Sequence, residues 1–277
     1  MTLATFGVVL FAAALHATWN AIVKGSSDKL LTAALVTGSA GVLAVLILPF
    51  LEAPAPASWP FILASTVFQI CYFRLLALNY QRSEMSLAYP IMRGTAPLIV
   101  TLVSVLFLQV DLPPLAGVGI VVICTGVLSM AISHGRGNGP SVALALLNAC
   151  VIAGYTLIDG EGVRRSDAPA SYTLWLYVLT GPTLVIWTMV THRRKFIPYA
   201  RANWQYGLIG GIGTATSYGL ALWAMTMAPV AVVSALRETS ILFGVLLSAT
   251  VLRERVDRRR IIAVCIIATG AIALRLS

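Results

Sequence analysis

The chain has 277 residues, of which 58% are apolar and only 10% charged, whereas charged residues make up about a quarter of a soluble domain. With a mean hydropathy of +0.89, this is the composition of a membrane protein and leaves no room for a sizeable soluble domain. The excess of 19 Lys and Arg over 10 Asp and Glu does not point to nucleic acid, because most of it lies in short segments between apolar runs, where it sets orientation and meets anionic lipid headgroups.

A membrane-crossing helix needs about 20 mainly apolar residues. Runs bounded by charge, Pro and Gly predict spans over 3–23, 31–51, 60–80, 86–108, 114–133, 141–160, 171–191, 204–227, 230–252 and 259–275, all helical because an open strand edge in lipid leaves its backbone unpaired. The run from Leu3 to Val23 lacks the basic start of a cleaved signal and reads as a retained first span. The separators, such as Lys24–Lys29, Glu52–Pro60, His134–Pro140, Gly160–Ala170, His192–Asn203 and Arg253–Arg260, are too short for separate modules. Cys71, Cys124, Cys150 and Cys265 all fall inside apolar runs with no Cys-x-x-Cys spacing, so no disulfide framework, metal site or cofactor is expected.

An internal repeat is the most informative feature. A shift of 144 positions lays Ala77-Leu78 on Ala221-Leu222, Arg93 on Arg237, Thr95 on Thr239, Ser104 on Ser248 and Thr125-Gly126 on Thr269-Gly270. A shift of 136 matches span 1 weakly to span 6, through Ala13/Ala149, Ala17/Ala153 and Trp19/Tyr155. The expected architecture is therefore all-α, ten transmembrane helices as two five-helix repeats, 1–136 and 137–277. Because five is odd, the second repeat enters the bilayer from the opposite side, an inversion that in secondary transporters places the substrate at the repeat interface.

These residues resemble a family. The Tyr89-Pro90-Ile91-Met92-Arg93-Gly94 stretch with Pro97, the Leu252-Arg253-Glu254 ending of span 9, and a Gly in each of spans 5 and 10 look like the EamA family of the drug/metabolite transporter superfamily. The resemblance covers the whole chain and implies a multi-pass secondary transporter, in a bacterial inner membrane, working with a small-molecule substrate, lipids and in some cases protons. It leaves the substrate open, since the family handles amino acids, drugs, sugars, phosphorylated metabolites and amines. One departure is Val110 where the second repeat has Glu254, with Asp111 the nearest acid.

Charge inside a membrane is costly and marks candidate functional residues. Five are present: Arg74, Arg93, Asp159, Arg237 and Glu238. Arg93 and Arg237 are repeat equivalents, each about 10 Å from its helix start at about 1.5 Å per residue, so inversion sets them on opposite sides of the midplane. They are expected to form two halves of one site for a carboxylate or other anion, which a planar guanidinium binds with two parallel hydrogen bonds. The competing reading has each locking the fold through backbone carbonyls or an acid on a neighbouring helix. Glu238 points about 100° away from Arg237 on a helix, so it either neutralises Arg93 or Arg74 or carries a proton; His16 is a second proton-coupling candidate.

Pro90 and Pro97 free the carbonyls of Ser86 and Arg93, which predicts a hinge in span 4. Trp19, Tyr72, Tyr89, Tyr155, Tyr218 and Trp223 lie within spans and are candidate walls of a substrate pocket, with Asn20 sharing a helix face with His16. Gly207, Gly210, Gly211 and Gly213 are followed by no Gly-Lys-Ser/Thr, so close helix packing is expected there rather than a phosphate loop. About thirteen Lys and Arg lie in the connections that follow odd-numbered spans, against about three in those that follow even-numbered spans and at the C-terminus, which by the charge rule puts both termini outside; the family resemblance implies termini inside. The expected function is transport of a small polar, carboxylated or anionic metabolite by alternating access, with export and proton coupling as options. The alternatives are export of cationic or amphipathic drugs or amines, and a non-transporting membrane enzyme or assembly partner; no catalytic cluster supports an enzyme.

Overall fold

The computed structural model describes residues 1–82, 85–132, 139–250 and 257–277. The elements are α1 (Leu3–Gly25), α2 (Lys29–Ile47), α3 (Trp59–Arg82), α4 (Met85–Leu106), α5 (Pro114–Ile132), α6 (Gly139–Arg164), α7 (Pro169–Met227), α8 (Val230–Arg237), α9 (Ser240–Thr250) and α10 (Arg258–Leu276). No strand occurs among the described residues. Eight segments among them are long and apolar enough to cross a membrane, and the chain is a multi-pass, all-helical membrane protein. The Leu252-Arg253-Glu254 motif and most of the His134–Pro140 separator lie outside the described residues.

Side chains define the helix starts. The Thr2 hydroxyl accepts from Thr5 N–H at 3.2 Å and Asp28 Oδ1 from Leu31 N–H at 3.1 Å, each satisfying an amide that has no partner inside its helix. Pro114 and Pro169 open α5 and α7, where a missing N–H costs nothing. At the far end of α7, Arg164 of α6 donates from Nε to Met225 O at 2.8 Å and from Nη2 to Ala228 O at 2.9 Å, supplying donors to carbonyls the ending helix leaves open.

One element departs from the sequence expectation, and a second carries a break the sequence does not announce. The separator His192–Asn203 is helical, so α7 runs for 59 residues, interrupted only by non-helical backbone at His192 and Asn203. The cause is a one-sided apolar stripe inside a charged stretch: Phe196, Tyr199 and Ala200 pack on Leu31 and Leu35 of α2, while Arg193, Arg194, Lys195 and Arg201 are exposed. The Thr32 hydroxyl donates to Asp28 O at 2.8 Å and so accepts from Tyr199 at 2.6 Å, tying this connector to the start of α2. The arms on either side of it are each long enough to span a bilayer.

The stretch 230–252, expected as one span, is one candidate membrane span over Val230–Thr250 with a break in its helix. It is split between α8 and α9, because Glu238, Thr239, Ile241 and Leu242 N–H donate to Ala235, Leu236, Glu238 and Thr239 O, three residues back, at 2.9–3.0 Å. This overwinds the chain into 3₁₀ geometry, which in mid-helix often marks a functional hinge. By contrast α4 passes through Pro90 and Pro97 as one helix.

Helices meet where side chains are smallest. A Cβ at Gly270 of α10 would lie 2.8 Å from Gly119 O of α5, and one at Gly126 of α5 would lie 3.1 Å from Ala263 O of α10. Gly41 of α2 and Gly181 of α7 face each other in the same way, at 3.3–3.6 Å to the opposing Cα. Gly207, Gly210 and Gly211 pack on Leu35, Val36, Ser39 and Ala40 of α2. Without a hydrophobic driving force between helices in lipid, such backbone approach is what dispersion contacts require.

Candidate functional site

The 3₁₀ turn at Glu238–Thr239 aims the Glu238 carboxylate across to α4. Arg93 Nε donates to Oε2 at 3.0 Å, and Nη2 approaches Oε1 at 2.9 Å, the two side chains being 12% and 4% exposed. The neighbouring Arg237 points elsewhere, with its guanidinium carbon 5.0 Å from the centre of the Tyr218 ring. Among the described residues it has no carboxylate partner. The two repeat-equivalent arginines thus stand in unlike states, one closed by an acid and one open.

A second buried acid lies on α6. Asp159 is fully buried; Oδ1 accepts from Tyr172 O–H at 2.9 Å and Oδ2 accepts from Tyr218 O–H, with the Ser65 hydroxyl of α3 facing it as well. It has no ion-pair partner among the described residues, and Arg237 is the cation within its electrostatic reach. A continuous polar path therefore runs Arg237–Tyr218–Asp159–Tyr172.

Aromatic rings surround these charges. Tyr72 and Tyr155 meet edge-on at 6.0 Å, and both, with Tyr89, lie within reach of Arg93. His16 stacks edge-on to Trp19 at 5.3 Å and faces Arg93 and Arg237. The buried Trp19 Nε1–H has no acceptor among the described residues. Tyr177 of α7 donates to Thr214 O at 3.0 Å and faces both Arg237 and Asp159.

The structure thus brings together His16, Trp19, Tyr72, Tyr89, Arg93, Tyr155, Asp159, Tyr218, Arg237 and Glu238. The other candidates have contacts of their own. Arg74 is exposed on α3. Asn20 turns its amide back onto His16 O of its own helix at 2.7 Å. Trp223 packs against the large apolar core, and Pro90 and Pro97 are buried within the unbroken α4. Tyr172, Tyr177 and Ser65 belong to the site and carry no sequence signal, being apolar-span residues of ordinary kind.

The sequence model of the EamA-like transporter family matches residues 140–276. No curated protein sequence matches the chain. Among solved structures, one titled only "Crystal structure of protein" is similar over 100% of this chain and 98% of that chain, with 16% identity and a TM-score of 0.78, a likeness of fold. The matched segment 140–276, which ends with α10 and contains the Asp159–Tyr218–Arg237 path, is thus similar to the EamA-like transporter family.

Proposed function

We propose that the chain is a ten-span secondary transporter of two inverted repeats, 1–136 and 137–277, moving a small metabolite with a carboxylate or other anionic group across a bacterial inner membrane by alternating access. The observation that carries the substrate class is the open guanidinium of Arg237, which has an aromatic platform but no acid. The half-buried Arg237 guanidinium has no acid among the described residues, and a substrate carboxylate offers it the ion-pair partner that Arg93 already has in Glu238. Both buried carboxylates are engaged, Glu238 by Arg93 and Asp159 by tyrosines, which weighs against a cationic substrate.

The inverted repeat is supported by contacts that recur when the halves are exchanged. Adding 144 to Gly126 and Gly119 gives Gly270 and Ala263, and the close approach of Gly126 to Ala263 is matched by that of Gly270 to Gly119. Likewise α3 and α4 pack on α6 much as the second arm of α7 and α9 pack on α1. The two arms of α7, separated at His192 and Asn203, supply the two crossings that a ten-span count requires.

The test is thermal unfolding of purified protein in detergent against acetate, benzoate, glutamate, methylphosphonate, choline and tetraethylammonium. A ligand at about 100 times its Kd stabilises the native state by about 2.7 kcal/mol. Anions are expected to raise the unfolding temperature of the wild type and to leave Arg237→Gln unmoved. Stabilisation by the cations alone, equal in both proteins, would overturn the anion reading.

A further inference from the structure

We infer that Asp159 is the proton-carrying carboxyl of this transporter and that Tyr218 links it to the anion-binding guanidinium of Arg237; the link to an anion rests on the function proposed above, while the proton site stands on its own geometry. The argument begins with what each buried acid touches. Glu238 faces guanidinium N–H groups, which donate and cannot accept. A protonated Glu238 would turn its O–H on a donor, so its partner Arg93 favours the anion.

Asp159 is held differently. Its two oxygens rest on the hydroxyls of Tyr172 and Tyr218, and a phenol both donates and accepts. When a proton from water joins one carboxyl oxygen, the facing hydroxyl oxygen has lone pairs to receive it, while the other tyrosine continues to donate to the remaining oxygen. Each carboxyl oxygen thus keeps a hydrogen bond in both protonation states, and the phenol that accepts turns its own O–H aside, a rotation of one hydroxyl rather than of a helix.

The other groups around Asp159 agree with this. From α7 they are Tyr172, Tyr177 and Tyr218, from α8 Arg237, from α3 the Ser65 hydroxyl, and on its own helix Tyr155, which in turn faces Arg93 and Glu238. Tyr72 of α3 lies beyond Tyr155. Arg237 is the charge nearest in this path, resting on the ring whose hydroxyl bonds Asp159. An anion on Arg237 cancels the positive field that favours a carboxylate at Asp159, so anion binding and proton binding assist each other, and by linkage the assistance is reciprocal. The transported species is then an anion accompanied by a proton in the same direction.

The experiment is infrared difference spectroscopy of the full chain in lipid across a pH titration, following the carbonyl stretch of protonated carboxyls with no substrate added. A titrating band is expected that disappears in Asp159→Asn and persists in Glu238→Gln. In Tyr218→Phe, which removes one oxygen and keeps the carboxyl, the band should shift in frequency, so a poorly folding Asp159→Asn does not decide the matter. Arg237→Gln should raise the titration midpoint by about one pH unit, from loss of a neighbouring charge at intermediate dielectric. A band that survives Asp159→Asn, that vanishes in Glu238→Gln, that ignores Tyr218→Phe, or whose midpoint ignores Arg237→Gln overturns the inference. Failure of the anion panel to stabilise the protein is read in a separate assay and leaves this band where it is, so the two readings fail separately.

Discussion

Removing one member of the Arg93–Glu238 pair is the perturbation with the largest expected cost. The pair joins through one Nε–Oε2 hydrogen bond at 3.0 Å and an Nη2–Oε1 ion-pair approach at 2.9 Å, and its side chains are 12% and 4% exposed, so neither survivor can rehydrate fully. Stranding one charge of a buried pair costs about 3–5 kcal/mol. Arg93 keeps some exposure and has Tyr72, Tyr89 and Tyr155 within reach, which places each single change, Glu238→Leu or Arg93→Met, near 3 kcal/mol. The double variant removes both charges and leaves a volume-matched apolar contact between α4 and the α8–α9 turn, at no more than about 1 kcal/mol. The assay is unfolding in mixed micelles by titration with a denaturing detergent, followed by circular dichroism, as a double-mutant cycle. A double variant that loses the sum of the two singles would show that the groups do not act as a pair and refute the reasoning.

Two further predictions concern packing. Gly270→Ala drives a methyl into Gly119 O and should cost about 1–3 kcal/mol, whereas Gly117→Ala, where a Cβ meets nothing within 4 Å, should leave the melting temperature unchanged or raised; equal effects would refute the backbone contact. Tyr199→Phe removes the 2.6 Å bond to Thr32 and should cost about 1 kcal/mol, with faster amide hydrogen exchange concentrated in 192–203; unchanged exchange there would mean the connector is held by Phe196 alone.

Much of the helical framework was legible because spans in lipid are long, apolar and punctuated by charge. The adjacency of Arg237 and Glu238 also carried geometry, since neighbours on a helix cannot share a face, and here one reaches α4 while the other lies on Tyr218. Other features were not legible for physical reasons. The separator 192–203 read as a loop because its four cations and Pro198 outweigh a stripe of only Phe196, Tyr199 and Ala200. The break at Glu238 has no proline to announce it, and the prolines that did suggest a hinge lie in the unbroken α4. Tyr172 and Tyr218 stand 13 and 59 residues from Asp159, and only the fold makes them its partners.

The glycine joint between α5 and α10 has a consequence for origin and for mechanics. A contact that maps onto itself when its two halves are exchanged is isologous, the geometry of a twofold dimer interface. With the two inverted repeats proposed above, a single surface suffices to build both sides, so a separate five-helix chain carrying it could pair with an inverted copy of itself. Such a contact also lies on the axis of exchange, where displacement is least. In the alternating-access cycle proposed above, the backbone-to-backbone seam at Gly119, Gly126, Ala263 and Gly270 would stay closed, serving as the bearing about which the rest turns.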